Sequence, residues 1–248
     1  MPLLHADGPL PRRSLATAAK QVWEHAQDRQ RTKFQLRSNA LQRKIESWSK
    51  YQLLYCPAVA TLHAPSPIDN SASSIKPHLI PLWLPSQING RVSIDISLVI
   101  IEWKLRHAQA YESLDSLRHY LQFRAYLYKF KDRFVRGQGA NTRARNAING
   151  VQAKIDAAAA EYRVAYGALL LLSESSQILD IGWKNELLLL KDEDIRDLSE
   201  GKADRLGKTQ SEGRRTISWI WKAVPADDLE NDEFLRESML MFFILSLC

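Results

Sequence analysis

Apolar side chains recur along this chain at steps of three and four, the spacing of one face of an α-helix. From about Ser14 to Tyr55 there is no Gly or Pro, and Leu41, Ile45, Trp48, Tyr51 and Tyr55 mark out a buried face. Pro57 ends this helix, because proline lacks the amide and clashes with the preceding turn. Residues 57–90 hold six of the ten prolines and the stretch SPIDNSASS, the composition of a connector. Within it HLIPLWLP is too apolar to stay solvated and is expected to pack on the helices as an extended strap.

The segment RVSIDISLVIIEW alternates like a strand at Val92, Ile94, Ile96, Leu98 and Ile100, yet it runs without a break into helical spacing. A helix is expected from about Ser97. Its buried stripe is Trp103, His107, Ala110, Leu114, Leu117 and Leu121, continued by a second stripe at Phe123, Leu127, Phe130 and Phe134. RGQGANT then reads as a seven-residue turn, with Gly137 as a helix C-cap and a new helix opening its amides at about Asn141. Ile148, Val151, Ile155, Ala158, Tyr162, Ala165, Leu169 and Leu172 follow with strict heptad spacing. Gly150 and Gly167 fall outside that seam. Two long amphipathic helices joined this closely become antiparallel neighbours, so Ile148 and Leu169 are expected in the core of a hairpin.

After Ser173 the pattern shortens. WKNELLLL and KDEDIRDL suggest one or two short helices, SEGKADRLGKTQSEGRR a polar linker, and RTISWIWKAV a short apolar helix or strand. PADDLENDE has the Pro and acids of a helix start. The expected fold is therefore all-α: an N-terminal helix, a proline-rich strap, a long antiparallel hairpin and short C-terminal helices. Its expected divisions are a disordered leader (1–12), a helical domain (13–199, with the connector at 57–90), a polar linker (200–213) and a short helical segment (214–248).

Composition adds charge to this picture. The 248 residues carry a formal net charge of +6, with 45% hydrophobic and 25% charged side chains, as in an ordinary soluble domain. Cys56 and Cys248 cannot build a disulfide framework, and no apolar run reaches the length of a membrane span. The N-terminus lacks the apolar core of a signal peptide. An intracellular place, nuclear or cytoplasmic, is expected, with no membrane partner.

Candidate chemistry is sparse. No two of the six histidines stand three or four residues apart, so a helical metal site is not encoded. Cys56 and His63 make a poor ligand pair. The G-x-G of RGQGANT joins two helices where a phosphate loop would join a strand to a helix. The acids of DED at 192–194 and DDLENDE at 227–233 are first-turn charges in preference to a cation site. No catalytic residue, cofactor or small-molecule substrate is implied.

One constellation stands apart. In YKFKDRFVRGQGANTRARN, Lys129, Lys131, Arg133, Arg136, Arg143 and Arg145 face a single acid, Asp132, with Tyr128, Phe130 and Phe134 interleaved. Cations gathered at a helical tip can hold phosphates; the competing expectation is a solvated tip whose aromatics are buried between the helices. A second basic face, between Arg12 and Lys50, has ten Lys and Arg against three acids.

The pieces WSKYQLLYCPAV, WLPSQI, EWKLRHAQAYESLDSLRHYL, YKFKDRFVRGQGANTRARNAINGVQAKIDAAAAEYRVAY, LKDEDIRDLSEG and SEGRRTISWIW, in this order over roughly residues 40–237, resemble the C-terminal region of fungal KDZ (Kyakuja–Dileera–Zisupton) transposases. The resemblance implies cut-and-paste DNA transposition by a full-length relative, through a ribonuclease H-like domain whose acidic metal-binding triad lies upstream of this region. No residue here matches the catalytic acids. Where the family continues after NDEFLRE into a long basic helix, this chain ends in SMLMFFILSLC, a departure expected to be a gene-model artefact. The expected function is that of a transposon-derived, non-catalytic C-terminal region. The alternatives are a stand-alone nucleic-acid-binding module that uses the basic tip, or a coiled-coil protein whose seam pairs with a second copy or a partner helix.

Overall fold

The computed structural model describes residues 12, 15–16, 18–19, 28–63, 76–88, 91–175, 182–198 and 217–223. The fold is all-α, and no strand occurs among the described residues. The chain divides into two compact units, residues 1–105 and 106–248. The leader (apart from Arg12), the polar linker and the SMLMFFILSLC tail lie outside the described residues.

In the first unit, helix α1 (Asp28–Tyr55) opens with an acid in its first turn, where the helix dipole favours negative charge. It gives way at Pro57 to a 3₁₀ turn, Pro57–Val59, followed by a helical turn, Ala60–His63. Its buried residues are Ser38, Leu41, Ile45 and Gln52. Tyr51 and Tyr55, expected on that face, are instead 58% and 64% exposed. The strap decides this. Residues 76–88 run as a 3₁₀ turn (Pro77–Leu79), an extended stretch and a helical turn (Pro85–Ile88). Ile80 and Leu82 pack against the core of Leu15, Leu41 and Ile45.

An extended segment with no neighbouring strand leaves its carbonyls in need of donors. Side chains supply them. Arg12 donates to His78 O and Ile80 O, Trp48 Nε1 to Leu82 O at 3.2 Å, and Gln52 Nε2 to Trp83 O at 2.6 Å. A polar residue, Gln52, thereby takes the buried position that apolar periodicity assigned to its neighbours.

Helix α2 (Ile96–Phe134) starts one residue before the expected Ser97, because Asp95 caps it. The Asp95 carboxylate accepts the Ser97 amide at 2.9 Å and its carbonyl accepts that of Leu98 at 3.0 Å. Those bonds from Ser97 hold the Asp95 carboxyl below its usual range. The alternation at 92–100 is the lead-in to a helix and does not mark its buried side: Ile96 is exposed, and the buried residue is Val99, outside the alternation.

In the second unit, α2 from Arg106 onward and α3 (Gln138–Ser175) form the hairpin. All eight seam residues, Ile148 to Leu172, are buried, as are Ala110, Leu114, Leu117 and Leu121 opposite. Arg124 Nη1 donates to Gln152 Oε1 at 2.6 Å, and one turn further from the hairpin turn Lys154 Nζ lies 5.4 Å from the Tyr120 ring centroid. One partner steps back along α2 as the other steps forward along α3, the signature of antiparallel packing. The loop is shorter than expected: α2 ends at Phe134 and α3 begins at Gln138.

Among the described residues the expected short C-terminal helices are single turns: Trp183–Glu186, Asp192–Asp194 and, within RTISWIWKAV, Trp219–Trp221. The helix start expected at PADDLENDE lies outside the described residues. Leu188–Leu190 of WKNELLLL has no helical structure. These segments are fastened like the first strap, by side-chain donors to their carbonyls. Tyr162 Oη donates to Leu188 O at 2.6 Å and Arg163 Nε to Leu190 O at 3.0 Å. Buried Arg118 donates through Nε to Ile220 O at 2.6 Å and through Nη2 to Ala223 O, and Trp221 Nε1 reaches Arg196 O at 3.0 Å. Trp183 is buried with its indole N–H 3.1 Å from Ser173 Oγ.

Candidate nucleic-acid interface

The hairpin tip is built by helix termination. At the end of α2 the Arg136 guanidinium turns back and donates to Asp132 O and Val135 O, each at 3.1 Å, covering carbonyls that the helix cannot satisfy. Gly137 then adopts φ +85°, the left-handed conformation that an L side chain resists, and reverses the chain. Its carbonyl accepts both the amide (3.1 Å) and the side-chain Nδ2 (2.9 Å) of Asn141. The Asn141 amide, expected to open the second helix, is thus already hydrogen-bonded inside it, and the free end lies a turn earlier.

Of the six expected cations, Lys129, Arg133, Arg136, Arg143 and Arg145 are exposed and Lys131 is half-buried. Lys131 and Arg133 sit in the last turn of α2, where the carbonyl end of the helix dipole favours positive charge. Arg143 and Arg145 sit in the first turns of α3. The hairpin therefore brings all six to one end, although the sequence places six residues between Arg136 and Arg143 at its widest gap.

The aromatic side chains are not the buried filling that the second stripe implied. Phe134 is 68% exposed, Tyr128 48% and Tyr126 44%, while Phe130 is half-buried. The hairpin core ends before them, because the turn is too tight for both helices to cover rings at their ends. Tyr126 escaped the reading of the sequence, although its spacing to Phe130 and Phe134, four residues each, was visible there.

Other candidates are occupied structurally. In DED, Asp194 Oδ2 accepts the Lys191 amide at 3.0 Å and Asp192 pairs with Arg163 at 2.5 Å. Cys56 is buried with a free thiol, and no group of three metal-ligating side chains forms among the described residues. His107 is half-buried, 5.1 Å edge-on to Tyr111, and burial lowers its pKa against the opposing pull of Glu186. In the first unit an apolar cavity of about 420 Å³ is walled by Trp48, Tyr55, Trp83, Ile88 and Leu98. Its carboxylate, Glu102, is buried and accepts the Ser86 amide at 2.8 Å and hydroxyl at 2.7 Å. On α1 the second basic face is solvated, with Arg29, Arg31, Lys33, Arg37, Arg43, Lys44 and Lys50 exposed.

Among the described residues no helix is long and apolar enough to cross a membrane. Compared with known proteins, the chain matches no family model, no curated protein and no solved structure.

Proposed function

We propose that this chain is a non-catalytic helical arm whose hairpin tip holds the backbone of nucleic acid, as the C-terminal region of a KDZ-like transposase would, working inside the cell. The observation that carries this reading is the gathering of six cations, five of them exposed, at the end of a hairpin whose core is otherwise apolar. The tip is electrostatic in character: nothing on it has the form of a recognition helix with base-reading side chains. The transposase resemblance over residues 40–237 gives such an arm its setting, with cleavage and joining assigned to an upstream domain.

Phosphate contacts release counterions, so engagement of all six cations with duplex DNA gives a log–log salt slope of about −5. Replacing Arg136, Arg143 and Arg145 together by Ala removes half the contacts. It should flatten the slope by about 3 units and weaken all duplex sequences alike. Fluorescence anisotropy at several salt concentrations reads this directly. An unchanged slope would place binding elsewhere, first on the α1 face, and absence of binding at low salt would refute the reading.

A further inference from the structure

Along the last turns of α2 the rings and the cations share one face in a regular order. Tyr126, Phe130 and Phe134 follow each other at four-residue steps, with ring centroids 6.5 Å and 5.2 Å apart and planes inclined by only 27° and 40°. Lys129 lies three residues beyond Tyr126, and Arg133 three beyond Phe130. On a helix, partners three and four residues away are neighbours, so each of those two rings has both the next ring and a cation one turn ahead. At the terminus the Phe134 ring is 68% exposed, and Arg136 follows it.

We propose that this face takes single-stranded nucleic acid, with unpaired bases stacking on Tyr126 and Phe134 and phosphates held by Lys129, Arg133 and Arg136. The inference rests on the reading of the tip as a nucleic-acid surface and specifies its substrate. A nucleotide strand repeats one flat ring and one anion, and the α2 face repeats one flat ring and one cation. Duplex DNA keeps its base faces stacked inside the helix, so it can use the cations and not the rings. Single strands expose both, and stacking of bases on aromatic side chains tolerates any sequence. A second copy of this chain is a poorer fit, because joining two such faces would oppose the same six cations. A bilayer surface would want a broad apolar face; here the rings form a single row flanked at each turn by a cation, Lys129 and Arg133.

The test compares an oligo-dT strand and a duplex of equal length, titrated into the full chain at fixed low salt, with anionic phosphatidylserine vesicles as the third probe. Tyr126→Ala and Phe134→Ala alter exposed rings, and circular dichroism of each variant checks that the helices persist. Each should weaken the single strand by about 5- to 140-fold and leave the duplex unchanged. Phe134→Trp, which keeps a stacking face, should restore single-strand binding. The Arg136, Arg143, Arg145 triple variant should weaken both nucleic acids. If the ring variants bind the single strand as the parent does while the arginine variant loses both, the single-strand inference falls and the electrostatic tip stands. Binding of neither nucleic acid overturns both readings. Ring-dependent binding of vesicles with no binding of either nucleic acid overturns both in favour of a lipid surface.

Discussion

Ile155→Ala measures how much of this protein's stability resides in the hairpin seam. Ile155 lies at the middle of α3 and is fully buried. Replacement by Ala deletes three carbons, a transfer loss of about 2.4 kcal/mol at roughly 0.8 kcal/mol per methylene. The surrounding helices collapse only in part, so a cavity term adds to this. Alanine returns about 0.4 kcal/mol through its better helix propensity. The expected loss is about 3 kcal/mol, within the roughly 2–5 kcal/mol range of such replacements and more than a hundredfold in the folding equilibrium. Val164→Ala is the control: it stands on the same helix, is 51% exposed and should change stability by no more than about 0.5 kcal/mol. Urea unfolding followed by helical circular dichroism compares the two. A loss at Ile155 no larger than at Val164 would show that the seam does not carry the fold.

Arg118→Met keeps the aliphatic stem and removes the guanidinium that holds Ile220 O and Ala223 O. Two bonds from a charged donor, at about 1.5–3 kcal/mol each and offset by relieving a buried cation, predict a loss of about 2 kcal/mol. Hydrogen exchange at residues 217–223 should rise before that of the hairpin, and equal protection in parent and variant would refute the pin. Tyr111 donates to Glu186, and burial, then that bond and the Glu186 charge, push its pKa up to about 12 from 10. Its raised folded value means the contribution is complete below pH 10 and lost as pH climbs towards 12. The parent should therefore lose more stability than Tyr111→Phe across that window, and parallel pH curves would exclude the linkage.

Much of this architecture was legible in the sequence. Eight positions from Ile148 to Leu172 were assigned to the core from spacing alone, and all eight are buried. Heptad spacing over so many turns admits one helical face and one use for it, in burial against a neighbour. That neighbour is α2 of the same chain, so a partner helix would have to meet another face. Local chemistry likewise fixed the ends: proline stops α1 at Pro57 whatever surrounds it, and Gly137 takes the left-handed conformation that ends α2. The six cations could be named as a group because they fall within seventeen residues, Lys129 to Arg145.

Tertiary structure decided the rest, for two physical reasons. Periodicity identifies a face and leaves its extent open, so Tyr51 and Tyr55 at the end of α1 and Phe134 at the end of α2 satisfied the pattern and still remain in water. Burial ends where the opposing segment ends. Polar residues are invisible to a hydrophobic pattern, yet Gln52 and Arg118 are buried because segments with neither helix nor sheet partners need donors for their carbonyls. Which side chain meets which carbonyl depends on contacts 25 to 105 residues apart, from Trp221 and Arg196 to Arg118 and Ala223. No local rule spans that distance; only the packed chain brings those atoms together.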